Sequence, residues 1–377
     1  GCRNNCGLMR QAASSGLELA EDSSGDRRDN AVYAELNVPI VKTLDMNLAL
    51  RYDDYSDFGS TWNPKIALRW QPTQQVLVRG SYNTGFRAPT LYDVYAPNSI
   101  TFTGNPYDDP LLCPGGVVNV GAGGIESRDC GQQFQQQQGG NLDLDPEESK
   151  AWTIGILFQP NQQWTLGVDY WDYKVESSVS VIGESVIFGD PTKYAANFVR
   201  CGMLSPEERA KLAATCTATA SPNTLAYIVN TTTNLGDYKT SGLDLQAAWQ
   251  SPVGDWGQFS VNYRGTYVLT YEYQLEKNGP YFDNLGEYFN GNPVARYRQM
   301  LSFGWQKAAW SSVLINRYTS SYKDQNETGD PQFDNNVVAG NNVWDLSVTW
   351  AGVKGLAITG GITNLFDRDP PFSNQGD

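Results

Sequence analysis

The feature that most constrains the fold is a two-residue alternation of apolar and polar side chains. In AWTIGILF (151–158), large apolar side chains occupy every second position, Trp152, Ile154, Ile156 and Phe158, and only Leu157 falls between them. Successive side chains of a β-strand point to opposite faces, so such a segment predicts a strand with one apolar and one polar face. Twelve segments show this pattern: AVYAELNV, MNLALRYD, KIALRW, LVRGSYN, AWTIGILF, WTLGVDYW, GLDLQAAW, FSVNYRGTYVLTY, RYRQMLSFGW, WSSVLINRY, VWDLSVTW and GLAITGGI.

The connections between these segments alternate in length. Short ones are PIVKT, QPTQQ, QPNQQ, SPVGDWG, QKA and AGVKG, and the longer ones span 54–61, 87–147, 176–225, 274–292 and 320–340. An up-and-down antiparallel sheet with turns at one end and loops at the other gives this order. The alternation itself does not tell an apolar interior from an apolar exterior. Because the strands match the roughly 9–11 residues that cross a bilayer, a transmembrane β-barrel is favoured over a soluble sandwich.

Composition excludes several kinds of partner and site. Lys and Arg total 27 against 41 Asp and Glu, a net charge of −14, which argues against nucleic acid or anionic lipid as a partner. The chain has no His, so a His-based triad or zinc site is excluded. The acidic pair Glu147 and Glu148 is interpreted as a solvated strand end. We predict no catalytic residue, no metal site and no cofactor.

The six cysteines form three local pairs in polar segments, which predicts disulfides in an oxidising compartment, with a Cys zinc site as the alternative. The pairs are Cys2/Cys6, Cys113/Cys130 and Cys201/Cys216. One short helix is predicted inside the last pair. Its N-cap is Ser205, Pro206 follows, and Glu208 completes a capping box. This helix is either a rigid ligand-facing element or a staple of the loop.

Seven charged residues fall on the polar face of the predicted strands. They are Arg51, Arg69, Arg79, Asp169, Asp244, Arg264 and Arg298. In a barrel this face lines the lumen, where such charges pair with each other or with a plug. The alternative is contact with a passing ligand.

Four motifs in order resemble TonB-dependent outer-membrane receptors. They are RGSYNTGFRAPTLYDVY (79–95), GNLDLDPEESKAWTIGILFQP (140–160), NTTTNLGDYKTSGLDLQAAW (230–249) and ITNLFDRDPP (362–371). Members of that family are plugged barrels of about 22 strands, and the twelve strands here would be about strands 10–21. The resemblance divides the chain into the end of an extracellular loop (1–29) and a C-terminal barrel portion (30–377). The plug, the TonB-binding segment and the remaining strands are expected to lie outside this sequence, so the 377 residues alone are expected not to close.

The resemblance implies an import receptor in the outer membrane of a Gram-negative bacterium, not an enzyme. Its partners would be outer-membrane lipid, TonB, and a ligand such as a ferric siderophore, cobalamin, oligosaccharide or peptide. Extracellular loops would capture the ligand through Arg87, Tyr92, Tyr95, Tyr107, Phe134, Phe188, Tyr194 and Phe198. The rival functions are a passive porin or adhesin built on the same barrel, and a secreted all-β hydrolase.

Overall fold

Twelve long antiparallel strands form the wall of the molecule. The computed structural model describes residues 24–212, 214–218, 220–289, 292–324 and 337–373. The wall strands are β1 (Asp29–Val41), β2 (Leu44–Tyr55), β3 (Gly59–Trp70), β4 (Val76–Arg87), β5 (Glu147–Asn161), β6 (Trp164–Glu176), β7 (Tyr238–Gln250), β8 (Gln258–Gln274), β9 (Tyr297–Lys307), β10 (Trp310–Thr319), β11 (Asn341–Val353) and β12 (Leu356–Ile362). Each pairs with the next along the chain, and Tyr281–Asp283 adds to β8. All twelve predicted strands and their up-and-down order are confirmed.

The wall is an open sheet. Strands β1 and β12 lie at its two edges, and the described residues form no pairing between them. An open edge leaves backbone donors and acceptors without partners, which a bilayer interior does not tolerate. This geometry agrees with the expectation that these residues form only a portion of a barrel.

All but one of the connections predicted to be longer are long loops, and they lie at one end of the wall. The loops 88–146, 177–237, 275–296 and 320–340 alternate with tight turns at the other end. The segment 54–61, predicted as a longer loop, is instead a tight turn, because β2 and β3 extend until Tyr55 pairs with Gly59. Gly59 has φ +75°, a left-handed conformation that glycine adopts without strain and that permits the sharp reversal.

The apolar face of the wall is exposed, while the buried apolar side chains lie elsewhere. Ile154 is 54% exposed, and Val32, Leu36, Trp62 and Phe158 are exposed with it. Among the described wall strands, only Val175 contributes a buried apolar side chain. The apolar face therefore points outward, which settles the alternative between an apolar interior and an apolar exterior. None of the described helices is long and apolar enough to span a membrane.

The loops 88–146 and 177–237 fold together into a separate layer, which we call the cap. Its four-stranded sheet has the order Phe198–Arg200, Leu225–Val229, Gln135–Gln138, Ser99–Phe102, and Val179–Ser180 pairs with Thr233–Asn234. Its helices are Leu91–Tyr95, Glu126–Asp129, Glu184–Gly189 and Pro206–Lys211, with 3-10 turns at Pro114–Gly116, Val120–Ala122, Ala195–Asn197 and Cys201–Met203. Small strand pairs in the other loops are Tyr288–Phe289 with Asn292–Pro293 and Tyr322–Lys323 with Val337–Val338.

Candidate functional site

Two disulfides stiffen the cap. Cys113 bonds to Cys130 and Cys201 bonds to Cys216, with Cα–Cα distances of 5.4 and 5.5 Å. Both predicted pairings are confirmed, and a zinc site on these four sulfurs is excluded because bonded sulfurs are not thiolates. The third predicted pair, Cys2 and Cys6, lies outside the described residues.

The predicted helix between Cys201 and Cys216 is present. Ser205 caps Pro206–Lys211, and the reciprocal bonds of a capping box join Ser205 and Glu208. Hydrogen bonds from Ser205 lower the pKa of the Glu208 carboxyl below its ordinary value. Arg209 Nε donates to the carbonyl oxygen of Cys201 at 2.6 Å, which ties the helix to the disulfide. These contacts hold the loop together, as the staple interpretation expects.

Five of the eight predicted ligand contacts pack inside the cap. Phe134 and Phe198 belong to its buried core with Ile187, Leu225 and Ile228, and are 7% and 5% exposed. Phe188 stacks on Tyr107 with ring centroids 4.3 Å apart and meets Phe198 edge-on at 5.3 Å. Buried rings offer no face to a ligand, so the prediction is corrected for Phe134 and Phe198: they join the two loops of the cap.

Tyr107, Phe188 and Tyr194 pack against this core while remaining partly exposed. Burial is the main cause that raises the pKa of the Tyr107 phenol, with a smaller contribution from Glu184. Burial likewise raises the pKa of Tyr194, with Glu276 second. The Tyr194 hydroxyl donates to Glu276 Oε2 at 3.5 Å, and Lys193 pairs with the same carboxylate. Residue 276 lies in the loop 275–296, so this contact joins the cap to the next loop.

Arg87 lies where the wall meets the cap and pairs there with a carboxylate. It lies directly opposite Glu147 at the ends of β4 and β5, and its Nε donates to Glu147 Oε2 at 2.6 Å. Glu147 also accepts from the backbone N–H of Val179 at 2.7 Å. The guanidinium is thus engaged by a carboxylate, and its predicted role in ligand binding stays a prediction.

Tyr92 and Tyr95 lie on the first cap helix, where Thr90 supplies the N-cap. Tyr92 is 78% exposed and is therefore the predicted contact most available to a ligand. The ring of Tyr95 packs against Gly25, where even a Cβ atom would come within 2.2 Å of the ring. Tyr95 thus anchors the segment that precedes β1.

A cluster of tyrosines that was not predicted from the sequence lies at the end of the wall that carries the long loops, which we call the mouth. Tyr238 lies 6.4 Å from Tyr173 and 6.5 Å from Tyr271 between ring centroids. Together with Tyr273, Tyr238 and Tyr271 line a concavity of about 360 Å³ that also receives Ser178 and Asp237. The signal is present in the sequence, because DYKTS begins β7 and TYEYQ ends β8, but only the register of these two strands brings the tyrosines together.

Five of the seven predicted lumenal charges form one row across the wall. The register places Arg69, Arg79, Gly155, Asp169, Asp244, Thr266 and Arg298 directly opposite one another on β3 to β9. Arg79 reaches over Gly155 to Asp169, with Nε–Oδ1 and Nη2–Oδ2 distances of 2.7 Å. A Cβ at Gly155 would lie 1.8 Å from Asp169 Oδ1, so glycine leaves the path open.

Apart from the Arg79–Asp169 pair, the predicted lumenal charges differ in whether they have a partner. Arg51 pairs with Asp53 at 2.7 Å, and Arg69 with Asp45 at 3.3 Å. Asp244 accepts from Thr266 Oγ1 at 2.7 Å. Arg264 and Arg298 have no ion pair in the described part of the chain and line a concavity of about 610 Å³. A pair that the sequence analysis missed, Arg317 with Asp345 at 2.5 Å, lies on the next two strands.

Comparison with known proteins places this geometry among bacterial receptors. A family model described as "TonB dependent receptor-like, beta-barrel" matches residues 8–365. The probable TonB-dependent siderophore receptor PirA of Acinetobacter baumannii is 29% identical over 143 residues, 38% of this chain and 16% of that protein. The ferrienterobactin receptor of Escherichia coli is 22% identical over 343 residues, 90% of this chain and 36% of that receptor.

The fold is also similar to solved structures. A crystal structure of a mutant of the ferric enterobactin receptor PfeA from Pseudomonas aeruginosa matches with a TM-score of 0.61 at 15% identity. The match covers 91% of this chain and 40% of that one. The chain therefore spans less than half the length of these proteins.

Proposed function

Because the chain belongs to the TonB-dependent receptor β-barrel family, we propose that the intact protein imports a scarce ligand through a plugged barrel with energy supplied through TonB. Members of this family are outer-membrane proteins of Gram-negative bacteria, and the protein lies in that membrane. The observation that carries the proposal is the family match over residues 8–365, on a wall whose apolar face is exposed. The relatives are named receptors, which accords with a protein that is not an enzyme.

The ligand that we propose is a ferric chelate, captured where the cap meets the wall. Support comes from the names of the relatives, a siderophore receptor and a ferrienterobactin receptor. The concavity lined by Tyr238, Tyr271 and Tyr273 offers aromatic faces and hydroxyl groups at this mouth. Rigid aromatic rings give large contact area at low entropic cost, and their hydroxyls fix orientation.

The cap and the lumen have separate tasks in this proposal. The disulfides and the buried core of the cap preorganise the surface that first meets the ligand, which lowers the entropy lost on binding. Below it, the row of charged and hydroxyl side chains keeps the lumenal face polar, as a passage for a hydrated complex requires. Arg264 and Arg298, which form no ion pair in the described ranges, are the arginines that we propose to contact the plug or the passing ligand.

The test is uptake of radioactive iron, presented as defined ferric chelates, by cells with and without the full-length receptor. Uptake that needs both the receptor and TonB supports the proposal. Abundance of the receptor in outer membranes should rise under iron starvation. Receptor-dependent uptake without TonB would favour a passive porin. If no ferric chelate is taken up, cobalamin, oligosaccharides and peptides are the next substrates to screen.

A further inference from the structure

The extracellular end of the molecule is strongly acidic. The loops 88–146, 177–237, 275–296 and 320–340 contain nineteen Asp and Glu against eight Lys and Arg. These loops therefore carry eleven of the fourteen net negative charges of the chain. The first loop is the most one-sided, with seven carboxylates and a single arginine, Arg128.

Eight basic groups at this end pair with carboxylates, whereas Arg209, Lys211, Lys277 and Arg296 form no ion pair in the described ranges. Arg200 lies 2.9 Å from Asp109, a fully buried carboxylate, and Arg128 lies 2.7 Å from the buried Asp129. The other pairs are Arg87–Glu147, Lys150–Glu176, Lys174–Asp237, Lys193–Glu276, Lys239–Glu272 and Lys323–Glu287. A cation that already has a carboxylate partner offers little to an anionic ligand, because binding would first have to break or share that pair.

Several carboxylates have no such partner. Asp143, Asp145 and Glu148 are exposed and form no ion pair in the described ranges. Asp145 and Glu148 line a concavity of about 550 Å³ at the rim, together with Glu176, Asp237 and Lys277. The rings of Phe58 and Phe86 border the same concavity. The rim thus combines aromatic surface with an excess of negative charge.

We infer that the substrate of this receptor is a neutral or cationic complex, and that its mouth disfavours polyanions. The inference rests on the proposed function and specifies its ligand. A cleft lined by one sign of charge concentrates ligands of the opposite sign and slows the approach of like-charged ones. The tyrosine faces at the mouth add attraction for cations through their ring quadrupoles. A monocationic or neutral ferric tris-hydroxamate has this chemistry, and a trianionic ferric tris-catecholate does not.

The charge of the mouth can be measured without any substrate. A Tyr92→Cys variant of the full-length receptor in outer-membrane vesicles would be labelled with a cationic and an anionic thiosulfonate of similar size. Relative to a free thiol in solution, the cationic reagent should react roughly tenfold faster than the anionic one. Added salt should reduce this ratio, because it screens exposed charges. Equal rates, or a faster anionic reagent, would overturn the inference.

A triple variant that removes three unpaired carboxylates tests whether they cause the difference in labelling rates. Asp143→Asn, Asp145→Asn and Glu148→Gln together, in the Tyr92→Cys background, should lower the rate ratio severalfold. The matched control is Asp255→Asn, which removes a charge from the turn 251–257 at the opposite end of the wall and should leave the ratio unchanged. An unchanged ratio in the triple variant would show that these three carboxylates are not the source of the negative potential at the mouth, and would contradict the inference.

The second arm compares uptake of the two ferric chelates. The monocationic tris-hydroxamate should be imported at least tenfold faster than the trianionic tris-catecholate at low substrate concentration. Preferred import of the trianion would overturn the inference while leaving the proposed import function intact. If neither chelate enters, the iron proposal fails, and the labelling ratio still decides the charge of the mouth.

Discussion

The wall and the cap place their apolar side chains in opposite ways. The wall turns its apolar side chains outward and buries almost none of them, whereas the cap encloses a core of Phe134, Ile187, Phe198, Leu225 and Ile228 and closes it with disulfides. The difference follows from the solvent that each part meets. The wall relies on lipid to cover its apolar face, and the cap, surrounded by water, must bury its own.

The largest expected effect separates the two kinds of exposed apolar residue. Ile154 on the wall and Val120 on the cap are 54% and 75% exposed, so burial within the protein does not distinguish them. Ile154→Arg should cost about 2–4 kcal/mol of membrane-folding stability, because the charge would enter the bilayer. Val120→Arg should change stability by less than about 0.5 kcal/mol. Denaturant titration of the full-length protein in lipid vesicles measures both, and equal effects would break the comparison.

The next effect concerns the cap alone. Removing the disulfide that spans 15 residues, with Cys201→Ser and Cys216→Ser together, should destabilise the cap by about 3 kcal/mol. Limited proteolysis should then cleave the chain within 177–237. The wall should stay folded, so a sample that has not been heated should keep the electrophoretic mobility of the folded protein. Loss of the folded wall in this variant would show that the two parts are not separable.

A smaller effect is expected within the lumenal row. Gly155→Ala would place a methyl group on the path from Arg79 to Asp169 and should cost about 1–3 kcal/mol. Gly360 provides the matched control, since a Cβ there meets nothing within 4 Å. Gly360→Ala should be nearly neutral in the same vesicle assay. A neutral Gly155→Ala would mean that the ion pair over the glycine contributes little.

The smallest effect is a pH dependence confined to the cap. Burial, the leading cause, raises the pKa of Tyr107, Tyr194 and Tyr227 above the ordinary value of 10.0. Because the folded cap favours the neutral phenol, this contribution is fully present below pH 10 and is lost as the pH rises through the folded pKa values. Protease resistance of the cap should therefore be flat near neutrality and fall above pH 10. A fall between pH 7 and 9 would contradict this assignment.

The wall was predictable from sequence because its signal is local. A period of two residues identifies a strand and its two faces without knowledge of any neighbour, and all twelve strands were found in this way. The turn 56–58 was misread because its Ser and Asp residues suit loops and turns equally well. What decides between them is the extension of β2 and β3 to the Tyr55–Gly59 pair.

The interior of the cap was not predictable because its signal is tertiary. Ile228 pairs with Gln136 from the other loop in a parallel register, which no short window of sequence reveals. Aromatic residues in a loop suggest ligand contacts, but Phe134 and Phe198 are core residues here. The reach of Arg79 across Gly155 likewise depends on the register of three strands. The tyrosine cluster at the mouth likewise cannot be predicted without knowing which strand ends are neighbours.

The central claim is that the apolar face of the wall meets lipid, and spin labels along β5 test it most directly. Nitroxides placed one at a time at positions 152–157 of the full-length protein in lipid vesicles would report collisions with oxygen and with a water-soluble nickel chelate. The account predicts that even-numbered positions collide with lipid-dissolved oxygen and are shielded from nickel, while odd-numbered positions are not so shielded. Even-numbered positions shielded from both reagents would indicate a buried protein core and would contradict the account.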